Sequence, residues 1–276
     1  MPSARAFLRA PGAFVLALAR ILRTVILVGF GAFALALLAL RFFVLPHIES
    51  YRDTLASMLT KELGHPVEIA TLTTDWDGWN PKLLVKGFRV LESASSDALP
   101  LVDLPEVALV VSWTSVPLFA LRLKELAIER PRLAIRRNRA GHLQVGGMEF
   151  DPARAEGESA LADWILQQRE IVVRDALITW DDDLRNAPQL VLDRVQFKLE
   201  NSFGRLRFGL KGMPPAGLAA PIDVRGDVRD TTVRDWQRGE GRMFVRLDYA
   251  DVGAWREWLP LPQQILGGKG AMRVWF

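Results

Sequence analysis

The feature that most restricts the fold is a two-residue period of apolar and charged side chains, clearest over residues 121–145. Its apolar members are Leu121, Leu123, Leu126, Ile128, Leu133 and Ile135, and most residues between them are Arg, Lys or Glu. Successive side chains of a strand point to opposite faces, so this period predicts half-buried strands with one apolar and one charged face. The step from Leu123 to Leu126 predicts a β-bulge, and Pro131 and residues 138–141 predict strand ends.

The same period predicts about a dozen strands after residue 66. Strands are expected at residues 67–72 and 83–91, separated by a turn at 75–81, and then at residues 107–113, 171–180, 190–201, 205–211, 222–229, 243–249 and 271–276. Short helices are expected at residues 116–121, at 161–168 after a linker at 151–159, and after Asp251. We therefore expect a mainly β fold, a curled antiparallel sheet with few helices to cover it.

Charge and composition exclude several classes of protein. The 276 residues contain 35 Lys and Arg and 32 Asp and Glu, but residues 1–45 hold five arginines and no acid. The remaining 30 basic residues therefore face 32 acidic ones, and a nucleic-acid partner loses its main support. Cysteine is absent, which excludes disulfides and thiolate metal sites.

An apolar run at residues 24–45 has Arg41 as its only charge and predicts a transmembrane helix of about 33 Å. The predicted anchor residues are Val25, Ile26, Leu27, Phe30, Phe33, Leu37, Leu40 and Phe42. A cleaved signal peptide is the alternative, but the run is long and no small-x-small site follows it. Because the basic leader, residues 1–23, precedes this helix, the N-terminus is expected in the cytoplasm and residues from 46 onward across the membrane.

A connecting segment at residues 46–66 is expected to form a helix that ends at Gly64. It either packs on the first strands or lies on the membrane surface. The sheet domain is expected to occupy residues 67–276, and the sequence stops inside a predicted strand. That position predicts either a fragment of a longer protein or an edge strand that another element covers.

Residue patterns that carry chemistry are weak in this chain. The three histidines are far apart, and no nucleophile-elbow, phosphate-loop, dinucleotide or zinc-protease motif is present. The fragment at residues 75–78 could suggest calcium, but a hairpin turn is the simpler interpretation. Asp181, Asp182 and Asp183 could suggest a metal, but adjacent side chains diverge, so we interpret them as a solvated turn. We expect no enzyme activity, metal site or cofactor.

Several stretches carry a family resemblance. They are the turn at residues 76–81 (WDGWNP), the strand at 107–113 (VALVVSW), the segment at 123–143 with its Pro131 break, and the pair at 171–183 and 190–201. This pattern resembles the AsmA-like proteins of Gram-negative envelopes and is most similar to their YhdP-type members. The resemblance covers about residues 20–276 and implies a repeating β-groove, an open apolar trough. The large members are much longer, which implies that this chain is an N-terminal portion.

The resemblance also implies a function: an inner-membrane anchor and a periplasmic groove that carries phospholipid toward the outer membrane. Implied partners are phospholipid, the inner membrane and, through a missing C-terminal part, outer-membrane or periplasmic proteins. The candidate groove-lining residues are Leu121, Leu123, Leu126, Ile128, Leu133, Ile135, Leu206, Phe208, Leu210, Ile222, Val224, Met243, Val245 and Leu247. Two alternatives stay open, a closed sandwich whose sheets cover each other and an envelope assembly or scaffold factor without lipid transport.

Overall fold

The computed structural model describes residues 10–93, 100–115, 120–145, 148–150, 164–202, 204–229, 241–258 and 267–275. The chain divides into two units, Met1–Ile48 and Glu49–Phe276. Helix α1, Ala10–Ala39, continues as a π-helical turn, Leu40–Val44, and a 3-10 helix, Leu45–Tyr51, follows. Helix α2, Arg52–Leu63, precedes the sheet.

Helix α1 and the π-helical turn that continues it contain a candidate membrane span, Val15–Phe43, of 29 residues with mean hydropathy 2.3. All the predicted anchor residues lie within it. The helix also includes residues 10–23, where sequence analysis placed a basic leader. Ala, Leu and Arg dominate that stretch and are strong helix formers, so the helix begins before the uncharged run does.

Helix α2 ends as the sequence predicts. Gly64 has φ 70°, a left-handed conformation that glycine adopts without strain, and its N–H donates to the Thr60 carbonyl at 3.0 Å. The predicted end of the connecting helix is therefore confirmed.

Side chains around α2 cover backbone groups of the first strand. The Val67 N–H donates to Thr60 Oγ1 at 3.0 Å, and the Leu72 N–H donates to Glu49 Oε2 at 2.7 Å. Arg52 donates from Nη1 to a carbonyl of the same strand at 3.1 Å. Unpaired edge groups can template association with another chain, so these hydrogen bonds protect this edge of the sheet.

The strands that the structure describes form one 13-stranded sheet. In chain order they are β1 Val67–Asp77, β2 Asn80–Leu91, β3 Pro100–Val111, β4 Leu123–Glu129, β5 Arg132–Arg137, β6 Leu143–Val145, β7 Met148–Phe150, β8 Glu170–Asp182, β9 Ala187–Ser202, β10 Arg205–Met213, β11 Ile222–Arg229, β12 Gly241–Asp251 and β13 Lys269–Trp275. The mainly β fold class with an N-terminal helix and few short helices is confirmed.

The strand order is β1-β2-β3, then β4 and β5, then β8 through β13 in sequence. Strands β4 and β5 lie end to end along one edge of β8, separated by Arg130 (φ 51°) and Pro131, which confirms the predicted break. Both pair with β8 in parallel, whereas the other described pairs are antiparallel as predicted. A parallel pair needs a crossover of a dozen or more residues, and the long connection between β5 and β8 supplies it.

The bulge predicted between Leu123 and Leu126 is confirmed. Leu123 faces Val111 and Leu126 faces Leu109, and the register shifts by one residue between them. The extra residue places Leu123 and Leu126 on the same face despite their odd spacing.

The first hairpin is tighter than predicted. Strand β1 extends to Asp77 and β2 starts at Asn80, so only Gly78, with φ 59°, and Trp79 form the loop. Of the predicted short helices, residues 164–166 are helical, and a 3-10 turn, Ala254–Glu257, follows Asp251, whose Oδ1 accepts from the Ala254 N–H at 3.1 Å. The linker at 151–159, residues 161–163, most of the helix at 116–121 and Phe276 lie outside the described residues.

Candidate functional site

Residues that face each other in adjacent strands lie on the same side of the sheet, so the register identifies rows that cross it. One row takes an apolar residue from each of ten strands, and nine steps of about 4.8 Å make it about 43 Å long. Its members, in strand order, are Leu72, Val85, Val107, Ile128, Val173, Phe197, Leu210, Val224, Val245 and Val274. We call this side of the sheet the apolar face and this set the main apolar row.

A second apolar row runs beside the first, two residues further along each strand. Its members are Leu83, Leu109, Leu126, Ile171, Leu199, Phe208, Gly226 and Met243. At Gly226 a Cβ atom would lie 2.2 Å from Cε1 of Phe208, so the aromatic ring fills the place that a side chain there would take. The glycine therefore keeps the apolar surface continuous.

The register places thirteen of the fourteen predicted lining residues on the apolar face. Seven belong to the two rows, and the others face apolar partners there: Leu123 faces Val111, Leu133 faces Val102, Ile135 faces Trp180, Leu206 faces Val228, and Ile222 faces Leu247. Leu121 lies before β4 and is 53% exposed. Contact of these residues with lipid stays a prediction.

The main-row members of β1, β2, β3, β8, β9 and β13 are not among the predicted lining residues. Their alternation was visible in the sequence, for example over residues 107–113, but the continuity of the row was not. Continuity depends on which residues of different strands face each other, and only the register shows that.

Exposure changes along the main apolar row. Leu72 is 1% exposed, Val107 is 8% exposed and Val85 is 9% exposed, whereas every member from Ile128 to Val274 is half-buried. Beside the far end of the row, Met243 is 38% exposed and Met272 is 47% exposed. Since all described strands belong to one sheet, no second described sheet covers β10–β13, and the closed-sandwich alternative is disfavoured there.

The opposite side of the sheet changes character between β8 and β9. One row on this side contains Thr73, Leu84, Ala108, Ala127, Val172, Lys198, Gly209, Arg225, Phe244 and Trp275. The members from β2 to β8 are apolar, which departs from the predicted charged face. From β9 onward most residues on this side are charged, and we call that part the charged face.

Ion pairs form within and between the strands of the charged face. Asp227 accepts from Arg205 Nε at 2.6 Å, Asp223 from Arg225 Nη2 at 2.8 Å, and Asp248 from Arg246 Nη2 at 2.6 Å. A hydrogen bond from the paired arginine holds the pKa of each of these carboxyl groups below its usual range.

A cavity of about 1190 Å³ lies against β8–β13, and its lining includes members of both apolar rows. Its lining includes consecutive charged-face positions: Gln196, Lys198, Glu200, Arg207, Gly209, Lys211, Asp223, Arg225 and Asp227. The row members in the lining are Val173, Phe197 and Leu210 of the main apolar row and Phe208, Gly226 and Met243 of the second row. The cavity is therefore lined by positions of both faces, more of them on the charged face than in the apolar rows.

The three consecutive carboxylates at the end of β8 point to different partners. Asp181 accepts from Gln189 Nε2 at 3.1 Å, and Asp183 accepts from Arg136 Nε at 2.7 Å. Asp182 is 2% exposed, so the interpretation of this segment as a solvated turn is wrong for that residue. Asp182 alternates onto the buried side of β8, where its charge requires a partner.

That partner is Arg137. It donates to both carboxylate oxygens of Asp182, from Nε at 2.9 Å and from Nη2, and its guanidinium carbon lies 5.7 Å from the ring centroid of Trp180. Arg185 adds a backbone N–H at 3.2 Å and an Nε at 3.9 Å. Burial raises the pKa of Asp182, but these hydrogen bonds and charges outweigh burial and lower the pKa overall.

Comparison with protein families decides where the chain belongs. The profile of the YhdP protein family matches residues 5–276. The chain belongs to the YhdP protein family. The resemblance inferred from the sequence motifs is therefore confirmed. Comparisons with curated proteins and with solved structures give no significant match. Membership of the YhdP family suggests an envelope protein related to lipid transport, and this is not a known enzyme family. The N-terminal helix is consistent with a membrane-anchored member of that family.

Proposed function

We propose that this protein is a lipid conduit, anchored in the inner membrane, whose apolar face shields the acyl chains of phospholipids as they cross the periplasm. The observation that carries the proposal is the main apolar row, which crosses ten strands without a polar member. Seven of those ten residues are half-buried, so the surface is accessible along most of its length.

The energetic need for such a surface is large. A two-chain lipid exposes about thirty methylene groups in water, and at about 0.8 kcal/mol each the cost is on the order of 20 kcal/mol. A continuous apolar surface of about 43 Å removes much of this cost while the chains lie on it. The charged face keeps the other side of the same strands compatible with water.

The proposed location follows from the first unit. Arg5 and Arg9 precede the candidate span, and Arg20 and Arg23 lie in its N-terminal third, so the positive-inside rule supports an N-terminus in the cytoplasm. The sheet would then lie in the periplasm, with phospholipid and the inner membrane as partners.

Photo-crosslinking at neighbouring positions of β12 tests this function. Val245 belongs to the main apolar row, and Arg246 lies next to it on the charged face, so a crosslinking residue at each position is a matched pair. In intact cells we expect phospholipid adducts at position 245 and few at 246, detected by mass spectrometry of the purified protein. Equal labelling at both positions contradicts a conduit, and protein adducts without lipid at 245 favour an assembly or scaffold factor.

A further inference from the structure

The buried cluster at the end of β8 lies on the apolar face. Trp180 faces Ile135 of β5 and Leu190 of β9, and Asp182 follows it by two residues on the same side of the strand. Arg137 faces Asp182 in the register, two residues beyond Ile135. The cluster therefore stands at the ends of the strands, directly beside apolar side chains.

The charges on this side do not cancel. The Asp182 side chain is fully buried, and its single negative charge is shared by Arg137, 22% exposed, and Arg185, 28% exposed. Arg137 occupies both carboxylate oxygens, so Arg185 makes only a long ion pair of 3.9 Å from its side chain. Among the described residues of this cluster, one positive charge remains in excess, carried by a partly exposed guanidinium.

Neighbouring charged side chains interact with other partners. Arg136 is paired with Asp183, and Asp181 and Glu92 also act on Arg136. Asp181 and Arg136 face each other on the opposite side of the sheet, since each is one residue away from a member of the buried pair. The positive charge of Arg185 therefore lies beside the buried Asp182, with Nε 3.9 Å from a carboxylate oxygen.

A positive charge at the margin of an apolar surface has the arrangement that an anionic amphiphile needs. Chains that lie on the apolar rows leave a headgroup at the strand ends, where a partly buried guanidinium can bind phosphate oxygens by charge-assisted hydrogen bonds. We propose that Arg185, positioned by Asp182, binds the phosphate of a phospholipid whose acyl chains lie on the apolar face. This inference rests on the proposed function and adds a headgroup contact to it.

The test compares the binding of two lipids with identical acyl chains to the protein, residues 1–276, purified in detergent. Phosphatidylglycerol carries the phosphate and diacylglycerol lacks it, and binding of each is measured by native mass spectrometry. For Arg185→Gln we expect phosphatidylglycerol binding to weaken about tenfold, the size of one charge-assisted hydrogen bond, and diacylglycerol binding to stay unchanged. Arg246→Gln on the charged face is the control and should change neither.

The outcomes separate this inference from the proposed function. If the unmodified protein binds neither lipid, the proposed function fails and the headgroup contact fails with it. If it binds both but Arg185→Gln changes neither, or weakens both equally, only the headgroup contact is overturned. Inorganic phosphate that binds alone as tightly as phosphatidylglycerol would assign the site to free phosphate instead. An unchanged melting temperature for Arg185→Gln shows that a loss of binding is not a loss of folding.

Discussion

The two ends of the main apolar row contain the same residue types in the same alternation, yet they differ in exposure. At the first end, Leu72, Val85 and Val107 are less than a tenth exposed, whereas Val245 and Val274 at the other end are half-buried. The first end has apolar residues on both sides of the sheet and an edge covered by side chains around α2. The other end has a charged face behind it. The comparison teaches that one sheet can serve as a packed core at one end and as an accessible surface at the other.

The largest effect is expected at the ends of β5 and β8, where a buried charge loses its partner. Arg137→Met leaves the buried Asp182 with only the backbone N–H and the long ion pair of Arg185, and we expect the free energy of unfolding to fall by about 3 kcal/mol. Urea unfolding followed by tryptophan fluorescence measures this loss. Arg246→Met, which breaks the exposed pair with Asp248 on β12, is the control and should leave the urea midpoint nearly unchanged. Equal effects of the two substitutions would show that the Arg137–Asp182 and Arg246–Asp248 pairs do not differ in burial.

A smaller difference is expected between two leucines of the same row. Leu72→Ala removes a side chain that is 1% exposed and should cost about 3 kcal/mol of unfolding free energy. Leu210→Ala removes a half-buried side chain and should cost about 1 kcal/mol, because its cavity opens to solvent. Urea unfolding of both variants checks this. A cost at Leu210 as large as that at Leu72 would mean that the apolar face of β10 is covered.

The smallest effect is the dependence of the melting temperature on pH, and most of the groups that cause it lie on β9–β12. Among the described residues, five carboxyl groups have a lowered pKa in the folded protein, and all but Asp182 lie on β9–β12: Glu200, Asp223, Asp227 and Asp248. A folded pKa below the unfolded value contributes stability above the unfolded pKa, and that stability is lost as the pH falls through the folded pKa. We therefore expect the melting temperature to decrease from about pH 5 downward.

High salt supplies the control for the pH experiment, since it screens exposed pairs more than buried ones. The acid-induced decrease in melting temperature should become shallower in high salt, because the exposed pairs of β9–β12 are screened. The contribution of the buried Arg137–Asp182 pair should persist. A melting temperature that rises on acidification would contradict the assignment of these ion pairs.

Local features of the fold could be predicted because neighbouring residues determine them. The bulge between Leu123 and Leu126, the helix end at Gly64 and the strand break at Pro131 each follow from local backbone geometry and were confirmed. Lining residues of one strand share a face because of the same local geometry, whereas the register aligns them between strands. The burial of Asp182 was missed because three adjacent aspartates suggest a solvated turn and nothing near them in the sequence identifies Arg137 as a partner.

By itself, the sequence determined which side chains of each strand lie together, because alternation follows from the two-residue repeat of an extended backbone. It also determined that an apolar helix precedes the sheet. Only the tertiary structure decided that β8 runs parallel to β4 and β5, that the main apolar row is continuous, and that its first end is buried. These features depend on contacts between residues distant in the chain, such as Ile128 with Val173 and Arg137 with Asp182, and no local pattern specifies which strands become neighbours.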